Sequence, residues 1–266
     1  MKFYSFALLL FLSTIFIIGC IKESTDEDII VQIPNDFTVG MRENLQEESR
    51  HLLLDIATKD SVNCGHCYIV TNFSIADKTI QIEIEDIVRE DNFPADLDIA
   101  KSTIDLGYLS PKEYQVTISL KNVVASTGKL IVSAQSYQLL FDDNTNGFVI
   151  ENSDIRKLSD GLVWGYVGFD QSSLWEQGTH FINTVNNFNT QELVAPGDYG
   201  YFVADNNNVM NTYRATISQN YYIPILMKSN ATAEDFSALL QQYPNSISFP
   251  FHVEIFRANG GTFKNF

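Results

Sequence analysis

The clearest periodicity in this chain lies between residues 79 and 88, where Ile80, Ile82 and Ile84 alternate with Gln81, Glu83 and Glu85. A period of two places the isoleucines on one face of a strand and the polar residues on the other. Tyr114-Gln115-Val116-Thr117-Ile118-Ser119-Leu120 repeats the pattern. His51 to Thr58, Tyr68-Ile69-Val70-Thr71 and Lys129 to Phe141 have strand composition, and turn residues at 92–94, Ser110-Pro111 and Thr127-Gly128 separate the runs. The second half is more aromatic, with apolar runs at Leu162 to Phe169, Leu193 to Ala204, Tyr221 to Met227 and Phe249 to Arg257.

Only residues 232–243 read clearly as a helix. Thr232 caps it, Glu234 and Asp235 fill the first turn, Phe236, Leu239 and Leu240 share a face, and Pro244 stops it. A charged stretch from Met41 to Arg50 allows a further short helix. The spacing predicts a mainly β protein of antiparallel immunoglobulin-like sandwich units, two in number, with one short helix in the C-terminal unit. The expected divisions are an export signal at 1–19, an acidic tether at 20–47, a first β-sandwich-like domain at 48–150 and a second β-rich domain at 151–266.

One internal echo supports two units. Leu109-Ser-Pro-Lys-Glu-Tyr114 matches Val194-Ala-Pro-Gly-Asp-Tyr199, each reading apolar, small, Pro, any, acidic, Tyr before an extended run. Physically this is a proline-initiated turn that delivers a tyrosine ring to a sheet corner. Similar turn-plus-tyrosine entries occur in immunoglobulin-like sandwiches.

The first 20 residues change the picture. One basic residue, Lys2, precedes an apolar run from Phe3 to Ile18 that is too short and too interrupted by Ser5, Ser13 and Thr14 to span a membrane. It ends in Ile17-Ile18-Gly19-Cys20, which resembles the lipobox of bacterial lipoproteins. That resemblance implies cleavage before Cys20 and lipid on its thiol and new amino group. Residue +2 is Ile21, and Lys22 is followed by Glu23, Asp26, Glu27 and Asp28. This arrangement resembles the surface-export signal of lipoproteins in the Bacteroidota. The implied location is the outer membrane, lipid-anchored, with display at the surface.

Composition narrows the partners. The formal net charge is −16, and removing residues 1–19 takes away only Lys2, leaving −17. Such a surface repels nucleic acid and anionic head groups, so no nucleic-acid partner is expected and the lipid must hold the chain on its membrane. With 45% hydrophobic residues the chain is long enough to bury a sizeable core.

Candidate chemistry is sparse. Cys64-Gly65-His66-Cys67 is the tetrapeptide that protein disulfide isomerases use, and it resembles their redox site in those four residues alone. Tyr68-Ile69-Val70-Thr71 then follows where a helix should, so a structural Cys64–Cys67 disulfide in an exported protein is the leading expectation. Zinc held by Cys64, His66 and Cys67 is disfavoured by their crowding. Asp142-Asp143-Asn144-Thr145-Asn146-Gly147-Phe148 resembles the front of a calcium loop, with Asp142, Asn144 and Asn146 as donors and the Phe148 carbonyl at position 7. Ser153 stands where that loop needs a bidentate Glu; a hairpin with an Asn-Gly turn is the favoured reading. No cofactor other than calcium is suggested.

Trp164, Tyr166, Phe169 and Trp175 offer an aromatic platform for sugar rings, against the commoner fate of core packing. The ligand-binding candidates are Trp164, Tyr166 and Trp175. The sequence carries no hydrolase, phosphate-loop or dinucleotide fingerprint. The expectation is a non-catalytic binding or adhesion module of the cell envelope, with a glycan or an envelope protein as partner. The alternative is an envelope enzyme, either a thiol-disulfide oxidoreductase through Cys64 and Cys67 or a hydrolase whose residues are not contiguous.

Overall fold

The computed structural model describes residues 36–45, 50–63, 66–90, 96–121, 123–142, 145–207, 209–213, 217–242 and 251–265. In chain order the strands of the first half are β1 (Phe37–Glu43), β2 (Leu52–Thr58), β3 (Val62–Asn63), β4 (Cys67–Ala76), β5 (Thr79–Arg89) and β6 (Leu97–Asp98). There follow β7 (Lys101–Asp105), β8 (Glu113–Leu120), β9 (Val124–Val132), β10 (Ser136–Phe141), β11 (Phe148–Ile150) and β12 (Asp154–Arg156). The second half has β13 (Leu162–Phe169), α1 (Trp175–Val185), β14 (Gly197–Asp198), β15 (Phe202–Ala204), β16 (Met210–Tyr213) and β17 (Tyr221–Lys228). It closes with α2 (Ala233–Gln241), β18 (His252–Arg257) and β19 (Thr262–Lys264).

The chain is mainly β, as its periodicity predicts, but its strands are not divided between two small units. Ten strands form one mixed sheet in the order β11-β1-β2-β7-β4-β5-β8-β9-β10-β12. The β1–β11, β4–β7 and β5–β8 pairs are parallel and the rest antiparallel. The inward face carries the alternating apolar set: Ile80, Ile82 and Ile84 on β5, Val116 and Ile118 on β8, Leu130 on β9, Leu139 on β10. The sheet curls into a half-barrel. Its curvature is visible in one bond: the Tyr137 hydroxyl on β10 donates to Glu43 Oε1 on β1 at 3.1 Å. These strands are second and ninth in the order, so in a flat sheet about 34 Å would separate them, at ~4.8 Å per strand.

The two edges are consecutive in sequence. β11 and β12 are joined by Glu151, Asn152 and Ser153 alone. The Asn152 side chain is 7% exposed, accepts from Met41 N at 2.5 Å and donates to Met41 O at 2.7 Å, so it adds one further rung to β1 where β11 stops. The Asn-Gly turn therefore does not make the expected hairpin. β10 pairs with β9 and β12, β11 pairs with β1, and residues between them cross from one edge to the other.

Two further expectations are corrected. Residues 37–43, assigned to a tether and in part to a short helix, are β1, whose Val39, Met41 and Glu43 point inward. The large sheet also runs on to Arg156, past the division expected at residue 150. Residues 34–266 cluster as one unit.

The second sheet has the order β17-β13-β18-β19. Every residue of β13 is buried, because both of its faces are covered. Val163, Val167 and Phe169 pack against Phe181 and Val185 of α1 and Phe236, Leu239 and Leu240 of α2. On the opposite face, Leu162 and Trp164 pack against Tyr199, Phe202 and Ala204 at the small sheet β14-β15-β16. Gly165, at φ +153, is required here because a Cβ would stand 2.0 Å from the carbonyl oxygen of Glu254. α2 begins at Thr232 as predicted, with a complete capping box between Thr232 and Asp235.

Both echoed turns have the same geometry. The Tyr114 hydroxyl donates to Ser110 O at 3.2 Å and the Tyr199 hydroxyl to Ala195 O at 2.7 Å, in each case the residue just before the proline. Both rings are buried.

Candidate functional site

The residues singled out in the sequence do not converge. Cys20, Cys64 and Asn144 lie outside the described residues. Cys67 opens β4 and is disulfide-bonded. His66 beside it is exposed at φ +60, and its carbonyl accepts from Glu90 N at 3.0 Å. A strand, not a helix N-terminus, follows the tetrapeptide, so no helix dipole acts there to lower a thiol pKa. Asp142 is exposed, and the Phe148 carbonyl accepts from the Thr145 hydroxyl at 2.5 Å. Asn146 donates its N–H to Ser126 Oγ at 2.9 Å. Among the described residues no three His, Cys, Asp or Glu side chains are grouped to hold a metal.

The aromatic candidates separate by strand face and burial. Trp164 and Tyr166 share a face of β13, as the alternation predicts, but both are buried. Trp164 is 0% exposed, stacked on Phe256 at 5.9 Å and tilted against Phe202 and Tyr201 at 5.4 and 5.5 Å. Tyr166 lies opposite Glu254, and burial followed by that carboxylate pushes its phenol pKa up. Glu254 in turn meets Lys264. Neither ring is available for stacking on a sugar.

Trp175 is different. It is 51% exposed at the start of α1, with its ring edge-on to buried Phe169 at 5.8 Å. Tyr221 stacks on the same phenylalanine at 6.0 Å, and Tyr221 and Tyr222 are 41% and 42% exposed. Trp175 and Tyr221 therefore share one face at one end of β13 and β17, while Tyr222, next along the strand, points to the other face. Polar groups flank them: Asp170 follows Phe169 directly, and its carboxylate accepts from Asn220 N at 3.3 Å. Gln171 and Ser172 precede α1 and are exposed. No family model, curated protein or solved structure matches this chain. The patch offers flat exposed rings with a carboxylate and an amide side by side.

A second constellation lies inside the fold. Glu43 is 1% exposed, its carboxylate accepting from the Tyr137 hydroxyl and, at 2.6 Å, from Leu158 N, with Arg50 at 3.7 Å. Burial pushes its pKa up, partly offset by the Leu158 N–H, Arg50 and Tyr137. The group ties β1 to β10 and to the chain entering β13. The arrangement is structural. Sequence reasoning missed Tyr221 as the ring that shares Phe169 with Trp175, because only the β13–β17 register brings Tyr221 opposite Phe169.

Proposed function

We propose that this chain is a lipid-anchored, non-catalytic binding module of the bacterial cell envelope, and that its ligand is a glycan. The observation that carries the reading is the half-exposed Trp175 with exposed Tyr221 on Phe169, beside Asp170 and Asn220. Sugar rings present C–H faces to aromatic rings and hydroxyls to carboxylates and amides, and this patch supplies both. Two exposed aromatic side chains held by a buried third ring also lose little side-chain freedom on binding. The anchor is lipid on Cys20, which puts the module on the outer membrane with its binding face outward. The Cys64–Cys67 pair is a structural disulfide that pins the start of β4. The twin tyrosine turns are the part of the chain that most resembles immunoglobulin-like sandwiches.

A glycan array with the full chain and with Trp175→Ala tests the ligand. Wild type should bind a subset of glycans, and the variant should bind them about tenfold more weakly, as expected when an aromatic contact worth ~1.5 kcal/mol is lost. Absence of binding by wild type, or equal binding by the variant, overturns the reading. Incorporation of a palmitate analogue that is abolished by Cys20→Ala tests the anchor separately.

A further inference from the structure

A cleft of about 530 Å³ lies between the outward face of the large sheet and the aromatic residues Trp164, Tyr201 and Phe256. That volume falls within the range of small-ligand pockets. On the sheet side, Thr38, Gly40, Ala57 and Asp55 face outward from β1 and β2. Gly40 and Ala57 are small, so the sheet is hollowed where its neighbours carry longer side chains.

The walls are fixed before any ligand arrives. Arg42 grips Asp55 through two bonds, Nε to Oδ2 at 2.5 Å and Nη2 to Oδ1 at 3.0 Å. The Thr103 hydroxyl donates to the same carboxylate at 2.7 Å. Tyr201 accepts from Arg42 Nη1 at 3.3 Å and donates to Glu43 O at 2.5 Å. Gly200, at φ +81, lets its loop lie directly on β1, where a Cβ would stand 2.6 Å from that of Arg42. Rings and charges are thus held by one another, and the Arg42–Asp55 pair is internally neutralised.

Two charged side chains remain unspent. Glu151 and Lys101 both line the cleft, and neither side chain has a hydrogen-bond or ion-pair partner among the described residues. The Glu151 carboxylate lies over Gly40 on β1, with Oε2 3.3 Å from where a Cβ would be. Lys101 rises from β7, two strands along the sheet. Gly40 is in register with Thr103, and Lys101 lies two residues further along β7, so at ~4.8 Å per strand and ~3.4 Å per residue about 12 Å separates the carboxylate from the root of the lysine, part of which the lysine side chain itself spans. An extended dipeptide spans about 7 Å and a tripeptide about 10 Å.

We propose that this cleft binds a short zwitterionic peptide of two or three residues. Its ammonium meets Glu151, its carboxylate meets Lys101, and an apolar side chain lies against Tyr201 and Phe256. The site is separate from the Trp175 patch and does not depend on the glycan reading.

Isothermal calorimetry on the full chain in detergent tests it, with Ala-Phe, Ala-Ala-Phe, acetyl-Ala-Phe-amide and a disaccharide as probes. The free peptides should bind saturably, and blocking both termini should weaken binding at least tenfold. Glu151→Gln and Lys101→Gln should each weaken the free peptides several-fold while leaving the blocked one unchanged. Both residues are exposed, so thermal melting of these variants should match wild type. Trp175→Ala should bind peptide as wild type does. Failure of both free peptides to bind, equal binding of the blocked peptide, insensitivity to both substitutions, or a preference for the disaccharide overturns the proposal.

Discussion

Replacing Asn152 tests how the two edges of the large sheet are joined. Its amide occupies both Met41 N and Met41 O, at 2.5 and 2.7 Å, in a position 7% exposed. In Asn152→Ala both backbone groups of Met41 lose their partner on that side. A net hydrogen bond is worth roughly 1 kcal/mol, and a buried polar group left unsatisfied costs roughly 1–3 kcal/mol. The expected loss is about 2–4 kcal/mol, a large share of the ~5–15 kcal/mol typical of a folded domain. Asn152→Asp keeps the shape but turns the donor to Met41 O into an acceptor. It should be at least as destabilising at neutral pH and should recover part of the loss as falling pH protonates the carboxyl, which burial makes easier to protonate than a free one. Urea denaturation followed by circular dichroism gives both numbers, with an unchanged m-value showing that the unfolded state is not the cause. If Asn152→Ala lies within about 0.5 kcal/mol of wild type, the seam is not held by this side chain and the account of the sheet's closure is wrong.

Glu43 titrates above an ordinary glutamate because burial disfavours its charge. A raised carboxyl pKa makes its contribution to stability greatest below the unfolded value of about 4.3 and reduces it as pH rises through the folded value. Glu43→Gln should remove that decline in a pH series of urea midpoints; an unchanged pH profile would refute it. Asp86 and Asp235, held below the usual range by Lys121 and by the Thr232 N–H and hydroxyl, act oppositely, their contribution disappearing as pH falls through their depressed values. Tyr114→Phe and Tyr199→Phe each remove one hydroxyl bond to a pre-proline carbonyl and should each cost about 1 kcal/mol, additively, since the two turns are separate. Gly165→Ala should prevent soluble expression or lower the melting temperature by more than any other glycine-to-alanine change in β13, and a near-wild-type melt would contradict the contact with Glu254 O.

Strands were legible where one face meets water. β5 and β8 alternate cleanly, and the structure buries Ile80, Ile82, Ile84, Val116 and Ile118 as that alternation requires. β1 was hidden because its inward face ends in Glu43, a charge whose hydrogen-bond donors lie 94 and 115 residues away, and because Gly40 weakens its local strand preference. α1 was hidden because Gly178, Thr179 and Thr184 are poor helix formers; burial of Gly178, Phe181 and Val185 against β13 and β17 overrides that preference. The Asn-Gly signal at 146–147 was real as a turn and wrong as a hairpin, since strand pairing is decided by what lies across the half-barrel. Trp175 could be placed from its polar approach, Gln171-Ser172-Ser173, but Tyr221, which shares Phe169 with it, could not. The cleft had no local signature at all, because its walls come from β1, β2, β7 and the chain beyond residue 150.

The seam between β11 and β12 also sets an order of events. Arg42 meets Asp55 across 13 residues, but Asn152 meets Met41 across 111 and Tyr201 meets Glu43 across 158. Closing the longer loop of 111 residues instead of 13 costs about 2 kcal/mol more in chain entropy, by the logarithmic dependence on length. The hairpins of the sheet therefore zip early and the latch shuts late. A chain threaded from its N-terminus must keep β1 unclosed on one side until residue 152 has emerged. Throughout that interval the outer edge of β1 is a bare seven-residue strand, open to pairing with another chain; once shut, β11 covers Phe37 to Val39 and the Asn152 amide occupies Met41.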